Sequence, residues 1–386
     1  MKELSENVYA LSGEWFNTQI KLLFEIEDKI NSDSNHENDK KSKNGKKNIA
    51  IIYDIDGWAF HNIAKQIKSN LSEYYNIDIF PVSVFDDNLV KLVFLAEKYD
   101  LVHCLWRGLI STINQKYIKS YIHNLGLKYD EFIEKYLNRV NLTTSVYDHK
   151  YLDEESFDNT RCFAKYAKNY TVSSSILKNI YDKLDIDKKP VMVISDGVDL
   201  NKFSPKNLER FKVENIKDRK IRIGWVGNSE FVDSLGDNDL KGVRNIIIPA
   251  IQELIDEGYN IEMKFADRKN GYIPHDKMPD YYNSIDLYIC ASKNEGTPNP
   301  ILESMASGIP IISTEVGIVN DAFGPNQKQF ILKERTKKCL KENIVKMLSN
   351  LKNFEEISKE NYKQIQDWTW QKKCMLFKKF FDQNLK

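Results

Sequence analysis

The stretch Asn294–Thr314, NEGTPNPILESMASGIPIIST, constrains the fold most, because it reads as a loop, a short helix and a strand in immediate succession. Asn299 is an N-cap residue type, and Pro300 suits the first helical position, where its missing N–H would go unbonded anyway. Gly308 and Pro310 then stop the helix within about two turns. The free N–H groups of the first turn, with the Thr297 hydroxyl beside them, can bind an anion where the helix dipole is positive. Glu295 precedes the helix and Glu303 is expected in its first turn, so the two acids flank that site. A diphosphate between a sugar and a ribose would place hydroxyls within reach of both. As isolated residues, the same acids read equally as an ordinary loop acid and a solvated helix residue.

The rest of the chain repeats the pattern of a strand running into a turn. IAIIYD (49–54) is a short apolar run ending in an acid, as a buried parallel strand would be, and an amphipathic helix is expected over 61–75. Between them Gly57 permits a tight turn, and Trp58 and Phe60 can wall an acceptor or simply pack the domain. Asp54 and Asp56 spell Asp-x-Asp, but directly after a first strand no metal is expected there. Further strands are expected in 78–85, 99–108, 141–149 and 171–176. Ligands of open α/β sheets bind beyond the carboxyl ends of strands, which brings His103, Arg107, Asp148 and His149 into consideration. A second series begins at IRIGWVGN (221–228), followed by IEMKFADR (261–268) and a helix and strand within 278–292. No G-x-G-x-x-G follows either opening strand, which argues against a dinucleotide oxidoreductase.

Length and composition fit this division. A chain of 386 residues can bury two cores, and 41% hydrophobic with 29% charged residues is a globular composition. Lys plus Arg and Asp plus Glu both number 56, so no global field favours nucleic acid. Five widely spaced cysteines, without a CxxC pair, read as reduced residues. No signal pattern or long apolar run is seen, so a cytoplasmic location is expected, with peripheral membrane contact left open. Residues 1–48 read as a helix over 14–30 followed by a polar linker.

With its two glutamates eight positions apart, its small-residue helix, Gly-x-Pro and apolar strand, Asn294–Thr314 resembles the signature of the retaining glycosyltransferases of family 4. That resemblance extends over roughly the C-terminal half. It implies the GT-B architecture: an α/β protein of two Rossmann-like domains facing across a cleft, here 49–199 on the acceptor side and 200–366 for the nucleotide sugar. It also implies a C-terminal helix, 367–386, that crosses back to the first domain. The implied catalytic residues are Glu295, His149 and Lys241. Donor contacts would come from Glu303, Gly227, Asn228, Arg268, Gly296, Thr297, Pro298, Asn299 and Ile301, and acceptor contacts from Gly57, Trp58 and His103. The sequence departs from the family at Asn228, where an arginine is usual, leaving Lys241 with Arg268, Arg222 or Arg244 to compensate the diphosphate. The expected partners are a nucleotide sugar and a glycan or lipid-linked acceptor, with no cofactor or metal. A sugar-nucleotide epimerase and a non-catalytic nucleotide-sugar-binding subunit are the alternatives.

Overall fold

The computed structural model describes residues 45–230 and 239–385. The helix expected over 14–30, most of the following linker and most of the acidic loop around 230–239 lie outside the described residues.

The first domain is built on a six-stranded parallel sheet. Its strands are β1 (Lys47–Tyr53), β2 (Tyr75–Pro81), β3 (Leu101–Cys104), β4 (Leu142–Val146), β5 (Asn169–Val172) and β6 (Met192–Val193), in the order β2-β1-β3-β4-β5-β6. Parallel neighbours need crossovers, and helices supply them. Helix α1 (Ala59–Leu71) buries Ile63, Ala64, Ile67 and Leu71, the three-and-four spacing of an apolar stripe. It ends before Tyr75, the end expected from the sequence, because Tyr75 already pairs with Lys47 as the first residue of β2. The strand expected over 78–85 is shifted for the same reason: Pro81 offers no N–H to continue the ladder, and Val82–Phe85 form a tight helical turn.

The second domain repeats the scheme with five parallel strands: β7 (Ile221–Gly227), β8 (Ile261–Asp267), β9 (Leu287–Cys290), β10 (Ile311–Thr314) and β11 (Ile331–Leu332), ordered β11-β10-β9-β7-β8. Each sheet has cores of its own. The C-terminal helix, Trp370–Asn384, leaves the second domain and buries Trp370, Cys374, Phe377, Phe380 and Phe381 against the first. Tyr75 donates to Asp382 Oδ1 at 2.5 Å and Asn169 to Asn384 Oδ1 at 2.8 Å, fixing the far end. The chain thus passes between the domains twice, and the crossings touch. Val198 bridges Thr369 in parallel and its N–H donates to Trp368 O at 2.8 Å. At Gly197 a Cβ would lie 2.6 Å from the Trp370 backbone, so only glycine admits this contact.

Candidate functional site

The carboxyl ends of the two sheets face each other, and the loops there carry most of the residues singled out above. Helix α2 (Asn299–Ala306) begins one residue earlier than capping chemistry implies. Pro298 is the N-cap, without a side-chain cap, and Asn299 is the first helical residue. The Asn299 side chain instead hydrogen-bonds Asp196 of the first domain. Glu303 accordingly lies in the second turn; no acid occupies the first. Ile301, expected near the donor, is a core anchor at 0% exposure whose N–H bonds Pro298 O at 2.9 Å. Gly308, at φ +69, ends the helix as expected.

On the second-domain wall the acids are already held. Lys241 Nζ lies 2.5 Å from Glu295 Oε1, and both side chains are mostly buried. Gly242, at φ +70, delivers this lysine: a Cβ there would meet Ala291 O at 2.5 Å. Arg335 secures the same loop by donating to Ala291 O at 2.8 Å and Asp239 O at 2.6 Å. Glu303 accepts from the Tyr282 hydroxyl at 2.7 Å and lies 3.3 Å from His275 Nε2. Lys202 Nζ is 2.7 Å from His275 Nδ1. A lysine ammonium can only donate, so Nδ1 accepts and Nε2–H is left to face Glu303.

The glycine turn after β7 is a clamped structure. Asn228 Oδ1 accepts from Glu230 N at 3.1 Å, while Ser229 donates its N–H and hydroxyl to Asp267 at 3.1 and 2.6 Å. Asn228 therefore spends its side-chain carbonyl locally. Arg268 runs beside the turn, its N–H donating to Gly227 O at 2.9 Å and its guanidinium 5.9 Å from the Tyr272 ring. Arg222 is unavailable to a diphosphate, because it begins β7 at the opposite edge and is bound to Asp286 at 3.0 Å.

The first-domain wall is different. Arg107, 3% exposed, grips Asp148 with two hydrogen bonds of 3.1 and 2.7 Å and donates to Lys150 O at 2.9 Å. Burial pushes the Asp148 carboxyl upward, but Arg107 holds it below its ordinary pKa. This pair shapes the loop bearing His149, in which Tyr151 adopts φ +64. Burial holds the His149 imidazole below its usual pKa, while Asp148 and, across the cleft, Glu295 pull it upward. Its Nδ1 has no partner. The loop after β1 exposes Ile55 and Trp58, with Gly57 at φ +77. Asp56 accepts from the Tyr53 hydroxyl at 2.6 Å.

His103 does not join this wall. Fully buried as the third residue of β3, it lies between Thr143 Oγ1 at 3.0 Å and Ser145 Oγ at 3.1 Å and meets the edges of Phe377, Phe380 and Phe381. Burial depresses its pKa to about 3. It has no face to offer an acceptor.

The walls touch at Gly296. A Cβ there would lie 1.6 Å from Tyr147 O. Gly317, at φ +52, closes over the same loop from behind, since its Cβ would meet Gly296 O at 2.2 Å.

Residues 268–364, which include α2 and both flanking acids' helix and strand, match the family described as glycosyl transferases group 1. That similarity to the group 1 glycosyltransferases covers about a quarter of the chain, within the second domain. The chain is 28% identical to Protein CapJ of Staphylococcus aureus over 220 residues, 51% of each chain. It is 30% identical over 118 residues to the putative teichuronic acid biosynthesis glycosyltransferase TuaC of Bacillus subtilis, covering 31% of this chain and 28% of TuaC. The matches thus span about half of CapJ or less of the other relative's length. The fold of Anabaena HepE, solved with UDP and glucose, superposes with a TM-score of 0.59 at 12% identity, over 87% of this chain and all of that one. That likeness establishes GT-B architecture. Among the described residues, no helix is long and apolar enough to cross a membrane.

Sequence reasoning missed Tyr282, His275, Lys202 and Arg335. Each acts through a contact made over 21 or more positions, so no local spacing announces it.

Proposed function

We propose that this protein is a glycosyltransferase that moves a sugar, with retention of configuration, from a nucleotide-diphosphate donor to a hydroxyl of a glycan or lipid-linked acceptor. The process served is the assembly of a bacterial surface polysaccharide or a related glycoconjugate. The printed role of TuaC and the UDP and glucose held by HepE support this reading. The observation that carries it is the 2.5 Å Lys241–Glu295 pair beside the start of α2, with His149 on the facing wall.

In this reading the diphosphate lies against Gly296–Asn299. Negative charge grows on it as the glycosidic bond breaks, and Lys241 and preorganised N–H groups stabilise that charge more in the transition state than in the ground state. Glu295 orients the sugar hydroxyls. Glu303, steadied by Tyr282 and His275, accepts from the ribose. The acceptor attacks from the face that the diphosphate leaves, and the departing phosphate takes its proton. No metal or cofactor is invoked.

A thermal-shift panel of UDP-, GDP- and ADP-sugars identifies the donor through its stabilisation of the folded state. Transfer is then followed with the anomeric configuration of the product read by NMR. Glu295→Ala and Lys241→Ala are each expected to lower turnover about 100-fold with the fold retained, melting falling by a few degrees because each breaks a mostly buried pair. Near-normal transfer by both variants overturns the site; an inverted product overturns the mechanism. Conversion of the donor alone, without acceptor, identifies an epimerase.

A further inference from the structure

Asp196 lies where the chain leaves the first sheet, three residues beyond β6, and it meets three parts of the molecule at once. Its N–H donates to Thr297 Oγ1 at 3.4 Å and its carboxyl takes a hydrogen bond from Asn299, so both side chains at the start of α2 lean on it. From the C-terminal helix comes Lys373, whose ammonium sits 3.4 Å from the centre of the Trp368 ring. From the exit of β4 comes Tyr147. The residue is 3% exposed, and Oδ1 is buried without any partner.

That arrangement suits a neutral carboxyl better than a carboxylate. An ionised group would carry a buried oxygen with no donor, which is the costly way to bury charge. Burial accordingly pushes the Asp196 pKa up to about 7, against the opposing effects of Asn299 and Lys373. Lys373 cannot fully compensate: burial draws its own pKa down to about 8, and it is shared with Asp321 and Asp367. Asp321 in turn belongs to the second domain and caps Ser175 of the first, accepting from its N–H at 2.9 Å. Of these contacts, those with Thr297 and Asn299, and the Asp321–Ser175 bond beside them, form only where the two domains meet.

We propose that Asp196 is the positioning residue of the donor loop, and that seating a diphosphate on Gly296–Asn299 draws a proton from solvent onto its buried carboxyl. The inference rests on the donor reading above. A diphosphate against Thr297 and Asn299 adds negative charge beside Asp196, and at such range in a partly buried site it raises the proton affinity by about tenfold or more. Protonation then relieves the repulsion, so that donor binding, closure and proton uptake become one linked event.

The test is calorimetric. UDP, GDP and ADP are titrated into the full chain at pH 8 in two buffers of different ionisation heat. The slope of heat against buffer heat gives protons taken up. The wild type is expected to take up about half a proton more per nucleotide than Asp196→Asn, which keeps the shape but cannot titrate. Equal uptake overturns the proposal while leaving the donor reading intact; no binding of any of the three nucleotides overturns the donor reading and the proposal with it.

A second arm needs no nucleotide. The folded carboxyl binds its proton more tightly than the unfolded one, whose pKa is about 3.9. Its stabilisation is therefore full below that value and is lost as pH rises through about 7. The melting temperature of the wild type should fall relative to Asp196→Asn between pH 5 and 8, and a constant gap overturns the proposal. Should Asp196→Asn fail to fold, Asp196→Ser takes its place in both arms, since it too removes the titrating carboxyl, and equal uptake or a constant gap again overturns the proposal.

Discussion

The two walls of the cleft are made from the same unit, a parallel strand running into a turn, yet they are finished differently. On the second-domain wall, Glu295 has Lys241, Glu303 has Tyr282 and His275, and Asp267 holds the turn after β7. On the first-domain wall, Asp54 Oδ1, Tyr147 Oη, His149 Nδ1 and Ser173 Oγ are buried with no partner. Each such atom costs about 1–3 kcal/mol. A fold that carries several along one edge holds hydrogen-bonding capacity in reserve. In the proposed reading the donor wall is assembled in advance, and the facing wall keeps these groups for an acceptor to engage.

Gly296→Ala attacks both walls at once and should have the largest effect. The added methyl cannot coexist with Tyr147 O, so the donor loop must withdraw. Transfer is expected to fall about 100-fold, with melting little changed because the loop is at the surface of the cleft. Activity within a few-fold of wild type would mean that the contact between the walls is incidental. Arg107→Met comes next and tests the first wall alone. Breaking a fully buried pair costs about 3–5 kcal/mol. Asp148 retains 37% side-chain exposure, so about 2 kcal/mol is expected, seen as a fall of several degrees in melting temperature. Nucleotide affinity, read by the same thermal-shift panel, should be untouched. Trp58→Ala is the mildest. Its side chain is 60% exposed, so stability should change by less than about 0.5 kcal/mol, while the acceptor KM rises about threefold. A change in donor KM instead would place Trp58 on the wrong wall.

Much of this was legible in the order of residues, and the exceptions have physical causes. Apolar runs followed by Gly57 and Gly227 mark strands entering turns, because such turns favour conformations that other residues resist. The loop, helix and strand of Asn294–Thr314 were readable for the same reason. What failed was direction. His103 was placed at a ligand edge by its nearness to the end of β3, but side chains alternate along a strand, and its ring turns into the packed aromatic face of the C-terminal helix. Asn299 has the right chemistry for a cap, yet the partner that claims it, Asp196, lies 103 positions away in another domain. Arginine 222 shows the converse: a cation judged by charge alone, when the end of the strand it occupies decides what it can reach.

The paired crossings at Val198 and Thr369 have a mechanical consequence. A single tether would leave one domain free to swivel in any direction on the other. Two tethers bonded edge to edge behave as a strap, stiff against shear and separation and compliant only to folding about its own width. Rocking of the walls toward and away from each other, on and off the Gly296–Tyr147 contact, is the motion such a strap opposes least.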